Sequence, residues 1–402
     1  MNILHTSDWH LGQRFVNQDR YAEHQAALAW LQETVVSQKI DVLLVSGDIF
    51  DGINPSHEAR KLYYRFLASL VNTCCRHIIV TGGNHDSALM LNASKELLEI
   101  LNIWVVGEAT NPIANEVIEL KNSDGETELF VAAVPFLRER DLRNAVAGES
   151  YADRVSAIRV GITAHYDSLA QHIQAINAAQ RPVVAMGHLY ATGAEDNKEQ
   201  PSKIYVGNLE NLEATAFSPV FDYVALGHIH RPQNLQGQTL VRYSGSIIPL
   251  SFTEVRDTKS VTIIRFAPDR KPQIEVLEMP TFRKLRTLIG TMDELKTKLT
   301  ALQPAQQQTK SWVELIIQTD GILINPLQEL TDFVANLPIE ILKCRLERVG
   351  EEPILSTSLE NSTTLLAELD VNDVFAKRLA ATDLNDDDKH LIEQAFLELQ
   401  SF

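Results

Sequence analysis

The chain is 402 residues long, 45% of them hydrophobic, with a formal net charge of −17. That length exceeds what one core usually fills, so two or three domains are expected, and no apolar run approaches the roughly 20 residues of a membrane span. The acidic balance argues against broad coating of a polyanion, and three cysteines (Cys74, Cys75, Cys344) are no disulfide framework, which fits a reducing compartment.

Residues 2–5 form an apolar, β-like run that the chain enters without a basic-then-apolar leader, from which a cytoplasmic location is expected. The run leads into Asp8-Trp9-His10. Residues 19–38 then space Ala22, Ala26, Leu28 and Leu31 as a helix does. A second run, 42–45, leads into Gly47-Asp48, and residues 57–71 make a helix with Leu62, Phe66, Leu67 and Leu70 on one face. Cys74 and Cys75 follow as small apolar residues at its end. The run 77–80 leads into Gly83-Asn84-His85-Asp86. This alternation of strand and helix up to about residue 106 is the pattern of an α/β layered fold.

Residues 116–136 read as a hairpin around Asn122-Ser123-Asp124-Gly125, and a long helix follows near 151–180. Strands return at 182–187, 204–207 and 222–227, two of them leading into Gly187-His188 and Gly227-His228-Ile229-His230. Residues 233–278 read almost entirely as β, with turns at 237–238 and 269–270. A boundary falls near Met279-Pro280. Beyond it, 283–289, 311–318 and 339–347 read as strands, and 291–302 and 325–336 as helices.

Residues 350–402 hold two or three short helices, near 363–369, 371–380 and 386–400, the last with Leu391, Ile392, Ala395, Phe396 and Leu399 on one face. Ten acidic against three basic residues from Ser356 onward give this tail −7 of the −17. It is too small for a core of its own and is expected to dock, either on a partner or on its own catalytic domain.

The five loops together carry the chemistry. Hard carboxylate oxygens mixed with imidazole nitrogens suit a divalent metal such as Mn, Fe or Zn. Residues i and i+2 of an extended segment share a side, so Asp8 can act with His10, and His228 with His230. Loops at the carboxyl ends of strands converge in α/β folds. Asp48 is the natural bridge, since a carboxylate can serve two cations. The assignment is Asp8, His10 and His230 with Asp48 on one ion, and Asn84, His188 and His228 with Asp48 on the other. Two neighbouring ions can clamp the attacking and leaving oxygens of a phosphoester. His85 should point away from the ion that Asn84 binds and is the candidate to protonate the leaving oxygen, with Asp51 orienting it or a nearby water. Arg14 and Arg231, beside ligand loops, are candidate phosphate contacts. His5, His24, His57, His77, His165, His172 and His390 lack such a setting and read as structural or surface residues.

These motifs resemble the calcineurin-like metallophosphoesterases: Asp8/His10, Asp48, Asn84-His85-Asp86, His188 and His228/His230 match that family's pattern. More narrowly, residues 3–12, 45–51, 225–231 and 242–252 are similar to the SbcD-type nuclease subunits. The resemblance implies a layered α/β/β/α sandwich (1–280), a small α+β cap domain on the DNA side (281–349), and a linker with a helical C-terminal segment (350–402). It implies two divalent ions, with manganese the supporting metal. It also implies a homodimer through helices at 57–71 and 92–101, and an SbcC-type SMC-like ATPase partner whose coiled-coil root the C-terminal helices grip. The activity implied is ATP-regulated exonuclease on duplex ends and endonuclease on single strands and hairpins, in DNA repair, replication and recombination. One departure matters: relatives from archaea and eukaryotes carry histidine where this chain has Asp51. The competing readings are a phosphoesterase for another substrate, such as a cyclic nucleotide or phosphoprotein, and a phosphoesterase fold kept as a non-catalytic scaffold.

Overall fold

The computed structural model describes residues 1–144, 146, 148–192, 212–235, 237, 239–267, 270–302, 309–320 and 323–348. The strand expected at 204–207, the turn positions Gln238 and Asp269, and every helix expected within 350–402 lie outside the described residues.

Two six-stranded sheets form the main body. The first runs Pro272–Glu278, Ser260–Phe266, Asn2–Thr6, Val42–Ser46, His77–Thr81, Ile103–Val106. Its last four strands are mutually parallel and its first two antiparallel. The second runs Gln233–Leu235, Leu240–Tyr243, Tyr223–Gly227, Val183–His188, Thr127–Ala133, Val117–Lys121, with four parallel strands between antiparallel edges.

Alternation along each central strand explains why these runs are apolar on both sides. Val42 and Leu44 face the layer between the sheets, together with Val184, Met186, Tyr223 and Ala225. Leu43 and Val45 face outward, onto the helices Tyr21–Ser37 and His57–Leu70. Val183, Ala185, Val224 and Leu226 do the same on the other side, onto the 26-residue helix Tyr151–Ile176. The result is the four-layer α/β/β/α sandwich. Two of the helices start on a serine cap: Ser56 Oγ accepts from Ala59 N and Ser150 Oγ from Asp153 N, each worth about 1 kcal/mol.

Two stretches differ from their expected form. Residues 92–101 are not one helix: Ala88–Asn92 ends before Ser94, and Lys95–Glu99 begins after it. Within 233–278, residues 244–259 leave the ladder, because Ile247, Ile248 and Leu250 pack into the helix-side core of the first sheet instead of pairing. Of the adjacent cysteines, Cys75 is buried and Cys74 exposed.

Residues 285–348 carry a separate three-stranded sheet, Leu285–Gly290, Ser311–Thr319, Ile339–Arg348, with helices Met292–Thr300 and Pro326–Phe333. Its own core centres on Leu295, Leu299, Val313, Leu315, Ile317 and Leu330. Thr291 and Glu294 form a reciprocal capping box at the start of the first of these helices. No helix among the described residues is long and apolar enough to cross a membrane.

Candidate metal centre

Because the inner strands of both sheets are parallel, their carboxyl ends face the same rim. Asp8 and His10 follow Asn2–Thr6, Asp48 follows Val42–Ser46, and Asn84-His85-Asp86 follow His77–Thr81. His188 closes Val183–His188 and stands opposite Gly227 in register, just before His228 and His230. Four of these residues hold a left-handed backbone: Asp8 (φ 51°), His10 (46°), Asp48 (49°) and His228 (100°). Such conformations cost of order 1–3 kcal/mol each and cluster at functional sites. Two glycines make room for the convergence. A Cβ on Gly47 would lie 2.1 Å from His188 Nδ1, and one on Gly83 would lie 2.2 Å from Asp48 Oδ1.

All seven expected ligands meet here. Asp8, His10 and His230 offer ligand atoms within 4.8 Å of one another, and so do Asp8, Asp48 and His188. Asn84 Oδ1 lies 3.0 Å from His188 Nε2 and 3.1 Å from His228 Nδ1. Asp48 Oδ2 lies 3.4 Å from His10 Nε2 and 3.3 Å from His188 Nε2, one nitrogen from each group. Separations near 3 Å are those of two atoms sharing one cation at about 2.1 Å. The expected bridge by two carboxylate oxygens takes a different form. Asp48 Oδ1 accepts the His85 backbone N–H at 2.9 Å, so a single oxygen, Oδ2, stands between the groups.

Three of the histidines are held through Nδ1, which turns Nε2 inward. His188 Nδ1 donates to Ser46 O at 3.0 Å, His10 Nδ1 faces Asp51 Oδ1 at 3.2 Å, and His230 Nδ1 faces Glu254 Oε1 at 3.2 Å. A carbonyl or carboxylate accepts only, so Nδ1 carries a proton and Nε2 is the nitrogen that would face a cation. His10 Nε2 fits that role: it is buried and makes no hydrogen bond. The residues present therefore fit divalent cations.

Burial opposes ionisation of Asp48, but His188 and then His10 outweigh it and hold its pKa well below the usual range. Burial opposes a protonated His188, yet Asp48 and Asp8 push it up to about 10, so a cation bound there would have to displace the Nε2 proton. His228 goes the other way, to about 3, through burial and the neighbouring His188. Asp48 is thus held as a carboxylate at the focus of the ring nitrogens.

His85 sits beside this cluster, its ring 5.0 Å from that of His10. Its Nδ1 donates to the Asp51 backbone oxygen at 2.9 Å, which leaves Nε2 as the exchangeable nitrogen. Asp51 thus meets His85 through its backbone oxygen, and its carboxylate Oδ1 lies 3.2 Å from His10 Nδ1. Arg14 is exposed and donates to Asn17 O at 2.7 Å. The Arg231 Nε donates to Asp257 Oδ1 at 3.0 Å, bracing the loop.

Sequence reading missed three residues. Asp86 is buried and accepts from Ile49 N, Phe50 N and Gly83 N, stitching the Asp48 loop to the Asn84 loop. Glu254 and Lys259, paired at 2.6 Å, support His230. Asp86 lay in plain view inside Gly-Asn-His-Asp; Glu254 had no signal, lying in a loop read as β.

The fold and this rim define a calcineurin-like phosphoesterase, and the chain belongs to that family: its model matches residues 1–232. The model described as the type 5 capsule protein repressor C-terminal domain matches residues 281–383. Within the family the chain is a member of the SbcD nuclease-subunit group. It is 36% identical over 397 residues to the SbcD component of the SbcCD nuclease from Escherichia coli (strain K12), covering 98% of this chain and 97% of the relative. The SbcD component from Rhodobacter capsulatus is 37% identical over 70% of each chain. That of Bacillus subtilis is 35% identical over 68% of this chain and 67% of its own.

Proposed function

We propose that this protein is the nuclease subunit of an SbcC/SbcD-type complex and hydrolyses phosphodiesters of DNA with two divalent ions, manganese foremost. The observation that carries the reading is Asp48 Oδ2 standing within 3.4 Å of His10 Nε2 and His188 Nε2, at the centre of all seven ligand side chains. Asp8, His10, Asp48 and His230 hold one ion, and Asp48, Asn84, His188 and His228 the other. When bound, the pair supplies Lewis acidity at the attacking and leaving oxygens.

The chain's own residues do the rest. His85, fixed by Asp51 O and by its backbone bond to Asp48, presents Nε2 to protonate the leaving oxygen. Asp51 holds His10. Arg14, exposed at the rim, meets substrate phosphate, while Arg231 acts through its loop. The main body (1–280) is the nuclease domain, residues 281–349 cap the DNA side, and 356–402 bind the root of the SbcC coiled coil. Leu89, Leu97, Ile100 and Leu101 are exposed large hydrophobics, and this face, with the helix His57–Leu70, joins two copies as a homodimer. The complex works in the cytoplasm on duplex ends, as an ATP-regulated exonuclease, and on single strands and hairpins, as an endonuclease.

The test gives purified protein and manganese a hairpin DNA and a small phosphodiester. Hairpin cleavage is expected. Turnover of the small diester with every DNA form left intact would replace this reading by a small-substrate phosphoesterase. Deleting 356–402 should spare single-strand cutting and abolish co-purification with the ATPase; retention of the ATPase would refute that assignment.

A further inference from the structure

The loop 244–259 touches both the metal centre and the cap: its Phe252 and Val255 pack with Phe15, Leu285 and Trp312. At one end Glu254 faces His230 Nδ1 at 3.2 Å, while Lys259 Nζ donates to both Glu254 Oε2 (2.6 Å) and His230 O (2.9 Å). At the other end Pro249 O accepts from Arg20 Nη1, and Leu250 O accepts from Gln13 Nε2 at 2.9 Å. Leu250 N closes the loop on itself by donating to Glu254 Oε2 at 3.0 Å. Arg20 then binds Glu23, whose other oxygen accepts from Arg283 Nε at 2.8 Å. Arg283 stacks on Trp312, 4.1 Å from the ring, and Trp312 stacks on Phe15.

The side chains are costly ones to place here. Arg20 is 1% exposed and Glu23 3%, and a buried ion pair is a poor source of stability compared with apolar packing. Arg20 also occupies the N-cap of Tyr21–Ser37, where Ser, Thr, Asp or Asn would satisfy the helix; its side chain makes no cap bond. His230, in turn, is a half-buried ligand, its side chain 24% exposed. Of the three histidines held through Nδ1, it alone is steadied by a carboxylate from outside the ligand loops and the sheet edge.

We propose that Glu254 and Arg20 are positioning residues that tie the metal-binding nitrogen of His230 to the seat of the cap sheet on Phe15 and Glu23, so that metal binding and cap seating are linked. This rests on the two-metal reading of the site. Linkage is reciprocal: whatever cap seating does for metal affinity, metal does for cap seating.

The experiment titrates the full-length chain with Mn2+ by calorimetry and follows hydrogen exchange in peptides spanning 281–286 and 309–313. Failure of the wild-type protein to take up Mn2+ would remove the two-metal reading itself. With wild-type binding in hand, Arg283→Ala, whose side chain bonds Glu23 and stacks on Trp312, should weaken the affinity about fivefold or more. Mn2+ should slow exchange in both cap peptides of the wild type and not of Glu254→Ala. If Arg283→Ala binds as the wild type does and metal leaves cap exchange unchanged, the linkage is overturned. Should Glu254→Ala fail to fold, the Arg283→Ala affinity and wild-type exchange still decide it.

Discussion

Gly83 gives the sharpest test of where Asp48 stands. A Cβ there would sit 2.2 Å from both Asp48 N and Asp48 Oδ1. Non-bonded atoms settle near about 3.5 Å, so the Gly83→Ala methyl forces the carboxylate back by about 1 Å. The backbone atom cannot retreat that far without breaking the loop bonds that Asp86 makes to Ile49 N and Phe50 N. Overpacking of this kind costs about 1–3 kcal/mol, which a domain of this size survives. A displacement of about 1 Å in a catalytic constellation costs of order 10²-fold in rate. Gly52, four residues after Asp48, has nothing within 4 Å of its Cβ position and is the matched control. The assay compares Mn2+ stoichiometry, single-strand cleavage rate and urea midpoint for the two alanine proteins. Gly83→Ala should fold, lose its metal and slow about 10²-fold or more, while Gly52→Ala matches the wild type. A Gly83→Ala protein with full metal occupancy and wild-type rate would refute the placement of Asp48 between the two ligand groups.

Asp48→Ala should abolish metal-dependent cleavage with an unchanged circular dichroism spectrum; residual manganese-dependent cutting would contradict the bridging role. His85→Gln should keep both ions yet slow cleavage by about 10²–10⁴-fold, and calorimetry showing lost metal instead would make His85 a ligand. Burial, then the Arg242 charge, lowers the His5 pKa to about 3. The unfolded chain takes up that proton near pH 6.5, so the contribution of His5 is intact above that pH and declines toward pH 3. The wild-type unfolding free energy should fall more steeply than that of His5→Gln between pH 6 and 4, by about 1.4 kcal/mol per pH unit; equal slopes would show that His5 is not held neutral.

The ligand types were legible without coordinates because the backbone does the sorting locally. A short apolar run ending in Gly-Asp or Gly-His must be a buried strand that opens onto a loop, and the period of two fixes which neighbours act together, as with His228 and His230. The core was legible for the same reason: Val42 and Leu44 on one face, Leu43 and Val45 on the other. What sequence left undecided depends on contacts between segments far apart in the chain. Asp48 and His188 are 140 positions apart, and only the parallel order of two sheets sets one carboxylate oxygen between His10 and His188. That Asp51 meets His10 through its carboxylate and His85 through its backbone oxygen follows from which loops pack around it. The support of His230 by Glu254 arises because Ile247, Ile248 and Leu250 sink into the first sheet's core and draw their loop out of the ladder. Local chemistry thus named the candidate ligands, whereas long-range packing, which no spacing encodes, chose their partners and the atoms they present.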